Sequence, residues 1–392
     1  MAIKVFTVFG VRPEAVKMAP VISELGRYPE FSVSVCVTGQ HRAMLDQVLR
    51  LFSIEPKYDL NIMRERQTLP ETFARALTGL DEIFRADRPD IVLVHGDTST
   101  TLAGSLAAFY NQVPVGHVEA GLRTHEKYLP FPEEINRKLT GSLADLHFAP
   151  TPTAKGNLLR EGVREESIFI TGNTVIDALA TTVRPDYEYH DAALRQALAK
   201  TTGRLLLVEV HRRENWGEPM QAMCLALLDV LAAFPDCRMI FPVHLNPVVR
   251  EVVMPHLAGH PQITLLDPLD TDDFHNLMAR SYLILTDSGG LQEEAPALGV
   301  PVLVMRTSTE RPEAVEAGTV RIVGTSRAGI VAHASELLES KAAYQSMSTA
   351  INPYGDGRAA GRIAQALLHF FGRTPERPAE WRGAQCSVPS AQ

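Results

Sequence analysis

The stretch T-D-S-G-G-L-Q-E-E-A-P-A-L-G at 286–299 combines residue types that can hold an anion. It ends an apolar run at Thr286, turns at Ser288-Gly289-Gly290, and enters a short helix that Gly299 stops. Gly289 and Gly290 carry no Cβ, so the backbone can turn tightly and approach a ligand closely. Free N–H groups and the positive end of the helix dipole face such a turn, and a phosphate can sit on Ser288 and Gly290. Glu293 and Glu294 would repel that phosphate; one of them is expected instead to accept hydrogen bonds from a ribose. Alone, the turn reads as a capped helix start with no ligand. With paired carboxylates behind it and the residues that follow, it reads as a site for a nucleotide diphosphate.

Three acids stand where chemistry could use them. Asp97 follows the run I-V-L-V-H and precedes a helix, so it is either a site carboxylate or that helix's N-cap. In V-G-H-V-E-A-G-L-R, Glu119 occupies the same position one strand later, between Gly116 and Gly121. If the two strands are neighbours, both carboxylates face one cleft. In P-F-P-E-E-I-N-R, Glu133 and Arg137 lie four apart on a helix starting near Pro132, a spacing usual for a solvated ion pair. Arg12 and Lys17 flank the first turns of a helix with Pro13 at its start, as surface residues or as added positive charge at an anion site. The segment L-L-L-V-E-V-H-R-R-E-N brings His211, Arg212 and Arg213 to a strand end, where three polar heads need partners. His244 ends the next strand, and Arg311 has the fork geometry for a phosphate or a carboxylate.

The elements that must position these residues are βα units. Short apolar runs at 3–9, 33–37, 91–95, 113–118, 146–149 and 168–171 alternate with helical stretches, and the pattern restarts at 204–210, 238–243, 263–266, 282–286, 301–305 and 320–323. The expected fold is α/β: two Rossmann-like, doubly wound domains whose strand ends face a cleft. The expected boundaries are 1–181 for the first domain and 182–356 for the second. A helix at 357–372 crosses back to the first domain, and a loose tail occupies 373–392. A net charge of −8 argues against a nucleic-acid or membrane-surface binder. No apolar stretch approaches the ~18 residues of a membrane span and no signal-peptide pattern opens the chain, so a cytoplasmic location is expected. Cys36, Cys224, Cys237 and Cys386 are scattered, which suggests neither a disulfide framework nor a structural metal site. No G-x-G-x-x-G follows any strand, so a nicotinamide cofactor has little support, and no cofactor or metal is expected.

Taken together, G-x-R-P-E-A-x-K-M-A-P, H-G-D-T-S-T-T, H-V-E-A-G-L-R, P-E-E-x-N-R, H-R-R-E-N, D-S-G-G-L-Q-E-E-A-P and R-x-x-T-E-R-P-E-A resemble the bacterial non-hydrolysing UDP-N-acetylglucosamine 2-epimerases, in order, from residue 3 to about 370. The resemblance implies a GT-B-like fold with UDP on the second domain, reversible conversion of UDP-GlcNAc to UDP-ManNAc for cell-envelope polysaccharide, and a homodimer. It implies catalytic roles for Asp97, Glu119, Glu133 and His211. It implies substrate contacts from Arg12, Lys17, Arg137, Ser288, Gly289, Gly290, Glu294 and Arg311. Two positions depart from the pattern: Glu209, two before His211, stands where Thr is common, and Ala43 replaces a longer polar residue.

Carbon 2 of such a sugar is not next to a carbonyl, so simple proton abstraction leaves an unstabilised carbanion. Elimination of UDP across C1–C2 to a 2-acetamidoglucal, then re-addition with the proton on the other face, avoids this and needs carboxylates near C2 and cations on the diphosphate. Clustered acids would raise one another's pKa. A GT-B glycosyltransferase, a hydrolysing epimerase and a nucleotide-sugar sensor are the alternatives; plain glycosyl transfer would not need the three acids. A further polar set, Gln40, Arg66, Gln67, Arg212 and His244, reads as ordinary loop polarity residue by residue. By the resemblance it holds a second UDP-GlcNAc as activator, with help from Glu133.

Overall fold

The computed structural model describes residues 1–39, 42–64 and 67–383, with backbone only at 42 and 43. The chain forms two compact units, one of Met1–Ala180 with Tyr354–Gln392 and one of Thr181–Pro353. The boundaries expected from sequence are 181/182 and 356/357, whereas the units divide at 180/181 and 353/354, with Tyr354, 1% exposed, in the first unit.

The first unit holds seven parallel strands: β1 (Ile3–Phe9), β2 (Phe31–Val37), β3 (Tyr58–Asp59), β4 (Ile91–His95), β5 (Val115–Val118), β6 (Leu146–Ala149) and β7 (Ile168–Ile170). Their order is β3-β2-β1-β4-β5-β6-β7. Both faces are covered, which is why the strands read as continuous apolar runs. Phe6, Val8, Val92 and Val94 pack on one side with Leu80, Phe84 and Ala107. Val5, Phe9, Ile91 and Leu93 pack on the other with Val21, Leu25, Ile363 and Leu367. Residues of one strand thus alternate between two cores with the strand's period of two.

The helix Ala359–Phe370 completes this unit by packing on the helix Arg12–Leu25. Its Ile363 and Leu367 are fully buried, worth about 2 kcal/mol each. The segment beyond it, expected to be loose from residue 373, is docked as far as it is described. The Trp381 N–H donates to the Ile170 carbonyl, Arg377 lies 4.1 Å over the Phe169 ring, and Arg362 stacks on Trp381. A ring and two guanidiniums therefore cover the outer edge strand.

The second unit holds β8 (Arg204–Glu209), β9 (Cys237–Pro242), β10 (Ile263–Leu266), β11 (Leu283–Thr286), β12 (Val302–Val304) and β13 (Val320–Ile322), in the order β10-β9-β8-β11-β12-β13, again all parallel. Each sheet reverses its winding once, between β1 and β4 and between β8 and β11. In open parallel sheets, ligands bind at the carboxyl ends of the strands flanking such a reversal.

Candidate active site

At the first unit's reversal, Glu14 shapes the turn after β1. It is buried and accepts N–H bonds from Gly10 (2.7 Å) and Val11 (3.0 Å) and hydroxyl bonds from Thr98 (2.5 Å) and Thr101 (3.0 Å). Burial raises its pKa against these donors. Thr98, and not Asp97, caps the helix Ser99–Tyr110 by accepting the Thr101 N–H. Asp97 is thereby left for another role. Its Oδ2 accepts from Arg137 Nε (2.9 Å) and NH2 (2.7 Å), and its carbonyl accepts from Asn136 Nδ2 (2.9 Å).

β4 and β5 are neighbours, as the shared-mouth reading required, so Asp97 and Glu119 follow adjacent strand ends. Glu119 sits at φ +63°, a left-handed conformation that costs a non-glycine residue on the order of 1 kcal/mol or more. That corner turns its carboxylate toward Lys17, with which it forms a short ion pair, and toward Asn173 Nδ2 at 2.9 Å; His95 Nε2 stands 3.6 Å away. Burial works to raise the Glu119 pKa, but Lys17 and His95 outweigh it and hold the group well below the ordinary carboxylate range. The expectation that clustered acids raise one another's pKa is therefore corrected at Glu119: the charge nearest to it is the Lys17 ammonium. Gly121, two residues on, needs its φ of +90°, and a Cβ there would stand 2.3 Å from the Ala154 carbonyl oxygen.

The helix Glu133–Leu143 contributes differently from its sequence spacing. Glu133 is half-buried at its first residue, while Glu134, unremarked in the sequence, is fully buried. Glu134 accepts the N–H groups of Thr124 and His125 (3.1 Å each) and Arg137 NH1 (3.3 Å), fixing the loop after β5. Arg137, also buried, thus directs its guanidinium to Asp97 and Glu134. Arg12 lies half-buried in the first turn of its helix.

The second unit's reversal carries the other candidates. Asp287, fully buried after β11, accepts the backbone N–H groups of His211 and Arg212 (3.0 Å each) and Asn215 Nδ2 (2.8 Å), so it ties the loop after β8 to the turn after β11. His211 Nδ1 lies 2.5 Å from Glu209 Oε1, and its ring stacks on His244 at 5.6 Å. Glu209, His211 and Asp287 offer atoms within 4.8 Å of one another, close enough to share a cation. Three N–H donors already occupy the Asp287 oxygens, and the Arg212 N–H is one of them, so the set reads as a hydrogen-bond network rather than a metal centre.

In the Ser288-Gly289-Gly290 turn, the Ser288 N–H donates to Thr286 Oγ1 (2.9 Å), so this amide, expected to face an anion, has an internal acceptor. A Cβ on Gly289 would lie 2.8 Å from Glu310 Oε1 and 3.3 Å from Arg212 NH2, and one on Gly290 3.2 Å from Glu294 Oε1. Glu310 gathers Arg306 (2.7 Å), Arg212 (3.3 Å) and Arg311 (3.6 Å) beside the turn. Burial works to raise its pKa, yet the three guanidiniums bring it down to about 2. Glu293 is buried against Arg311 Nε at 2.5 Å, whereas Glu294 is more open, with His275 Nε2 3.7 Å away. Each guanidinium has five N–H donors, so these acids orient the arginines without exhausting them.

Of the proposed activator set, Gln67 accepts from Arg64 N–H (3.2 Å) and Arg75 NH2 (2.7 Å), in the first unit. Arg212 and His244 both neighbour His211 in the second. Gln40 and Arg66 lie outside the described residues, as does the side chain of Ala43. Glu14 had a sequence signal, an acid at the third helical position behind a strand end. Glu134 stood inside the P-E-E-x-N-R motif without a role of its own, and Asn173 had no signal.

A family model described as UDP-N-acetylglucosamine 2-epimerase matches residues 23–368. The chain is 56% identical over 381 residues to the UDP-N-acetylglucosamine 2-epimerase of Bacillus subtilis, covering 97% of this chain and 99% of that one. The UDP-GlcNAc 2-epimerase of Neisseria meningitidis, solved bound to UDP-GlcNAc, has a TM-score of 0.85 at 46% identity over 93% of this chain and 100% of its own. The S. aureus protein MnaA, solved with UDP, has a TM-score of 0.87 at 48% identity, covering 96% and 99%. With the family model spanning residues 23–368 and a curated relative 56% identical over 97% of the chain, the chain belongs to the UDP-N-acetylglucosamine 2-epimerase family of isomerases.

Proposed function

We propose that the protein interconverts UDP-GlcNAc and UDP-ManNAc without releasing the sugar, by elimination and re-addition of UDP. A carboxylate removes the C2 proton while the C1–O bond breaks, its electron pair leaving on the diphosphate. The C1–C2 double bond of a 2-acetamidoglucal remains. Protonation at C2 from the opposite face, with return of the diphosphate oxygen to C1, gives the epimer. The observation that carries this reading is the pair Asp97 and Glu119 at adjacent strand ends, each held by its own cation. Glu119, kept ionised, suits the base. Asp97, Glu133 and His211 supply the remaining proton transfers. Arg12, the Ser288-Gly289-Gly290 turn and Arg311 serve the diphosphate, Glu294 the ribose, and Lys17 and Arg137 act through the acids they hold. UDP-GlcNAc bound in the Neisseria relative and UDP in the S. aureus relative support the substrate class.

A second UDP-GlcNAc as activator, a homodimer and supply of ManNAc for envelope polysaccharide complete the proposal. The test is proton NMR of the protein with UDP-GlcNAc in D2O, without added NAD or metal. UDP-ManNAc should appear, and the recovered UDP-sugars should carry deuterium at C2. Free ManNAc and UDP as sole products would replace this reading with a hydrolysing epimerase.

A further inference from the structure

The ring of His211 is held by one acid in particular. Its Nδ1 is 2.5 Å from Glu209 Oε1, whereas the nearer oxygen of Asp287 is 3.8 Å from the same nitrogen. The two acids differ in what else they bind. Asp287 accepts two backbone N–H groups and the Asn215 amide, so its oxygens are committed to the loop. Among the described residues Glu209 Oε2 accepts the Thr286 hydroxyl alone, at 3.2 Å, and Oε1 is left for the imidazole. Thr286 in turn accepts the Ser288 N–H, which forms a hydrogen-bonded chain from the Ser-Gly-Gly turn through Thr286 and Glu209 to the ring.

We propose that Glu209 is the positioning residue of His211: it takes the Nδ1 proton in a hydrogen bond, fixes the ring, and makes Nε2 the nitrogen that exchanges a proton with substrate. An imidazole has two nitrogens, and committing one to a carboxylate assigns the other. The groups facing the ring are Glu209 from β8, Asp287 after β11, Arg212 from its own loop and His244 after β9. Burial and Arg212 work against the imidazolium; Glu209 and then Asp287 outweigh them, and the His211 pKa is raised. Removing the Glu209 charge therefore lowers the pH at which the ring titrates. The inference rests on the epimerase reading only for what Nε2 acts upon.

The experiment follows the imidazole nitrogens of the full-length protein by NMR, with His211 identified by loss of its signals in His211→Gln. In the unsubstituted protein above its titration midpoint, the ring should be protonated at Nδ1, not in the commoner Nε2–H form. Glu209→Gln should lower the midpoint by about one pH unit, and Glu209→Asp should restore part of that shift. In turnover, Glu209→Gln should cost about ten- to a hundredfold in kcat, as loss of a partner orienting a metal-bound histidine does. KM should change little, and the limb of the pH profile governed by His211 should move to lower pH. An Nε2–H ring in the unsubstituted protein, or a midpoint unmoved by Glu209→Gln, would overturn the proposal. The nitrogen spectra need no turnover, so absence of epimerisation with the expected spectra would remove the epimerase reading and leave Glu209 in its role.

Discussion

Glu119 and Lys17 invite a double-mutant cycle because both are largely buried and meet each other, their side chains only 8% and 14% exposed. Lys17→Met leaves a buried carboxylate with the Asn173 amide at 2.9 Å and His95 Nε2 at 3.6 Å. Breaking a buried pair in this way costs about 3–5 kcal/mol. Glu119→Gln costs less, because the amide oxygen still accepts from the ammonium. In the double variant neither charge is stranded, so the two losses should fail to add by about 2 kcal/mol or more. The chain offers a clean readout, since its two tryptophans, Trp216 and Trp381, fall in different units. On a Trp216→Phe background, urea unfolding followed by Trp381 fluorescence reports the first unit alone. The lowered Glu119 pKa sets the pH window. Its contribution is full above about 4.5, the unfolded value, and is lost as pH falls through the folded one. The coupling should therefore persist at pH 5.5. Turnover of Glu119→Gln should fall at least ~10²-fold, with UDP affinity nearly kept. Additive losses within about 0.5 kcal/mol would refute the buried-pair argument, and near-normal turnover of Glu119→Gln would remove it from the proposed chemistry.

Acid should unfold the first unit early. Burial, the largest cause in each case, lowers His117 to about 3 and His147 to about 4, so stability is complete above about 6.5 and falls as pH drops toward those values, by roughly 1.4 kcal/mol per pH unit for each ring. Asp177, raised by burial to about 6, works the other way over a narrower range; His117→Gln should flatten the pH dependence of urea midpoints. Gly121→Ala should destabilise the same unit by about 3 kcal/mol or more, through its positive φ and the Ala154 carbonyl in its path, read as a lower urea midpoint. If a second UDP-GlcNAc closes the active form, pure UDP-ManNAc should turn over slowly until a trace of UDP-GlcNAc is added, and Gln67→Ala should weaken that release. Lag-free conversion in a coupled assay would count against an activator.

Much of this arrangement is visible in the residues, for identifiable reasons. A parallel sheet covered on both faces produces uninterrupted runs such as I-V-L-V-H, and residues just past such runs, Asp97 and Glu119 among them, stand at strand ends by construction. The pairing of those acids is not visible, because Lys17 meets Glu119 across 102 residues of sequence. The helix at 133–143 misleads for another reason: its buried face is polar, with Glu134, Asn136, Arg137 and Thr140 inside and Leu139 48% exposed, so apolar periodicity gives the wrong phase. β3 has two residues, too few for a period, and the docked segment to Gly383 looks loose because a single tryptophan and an arginine anchor a proline-rich stretch.

The division of the first unit between the two ends of its sequence bears on how the protein is made. On the ribosome, Met1–Ala180 emerges with the apolar side of its first helix uncovered, because Ile363 and Leu367 are encoded after all of Thr181–Pro353. At ~5–20 residues per second, that interval is roughly 9–35 s. The second unit, continuous in sequence, can close before the first has received its last helix. For that interval the face of the first helix that Ile363 and Leu367 later cover stays open to solvent, and transiently exposed apolar surface of this kind favours aggregation.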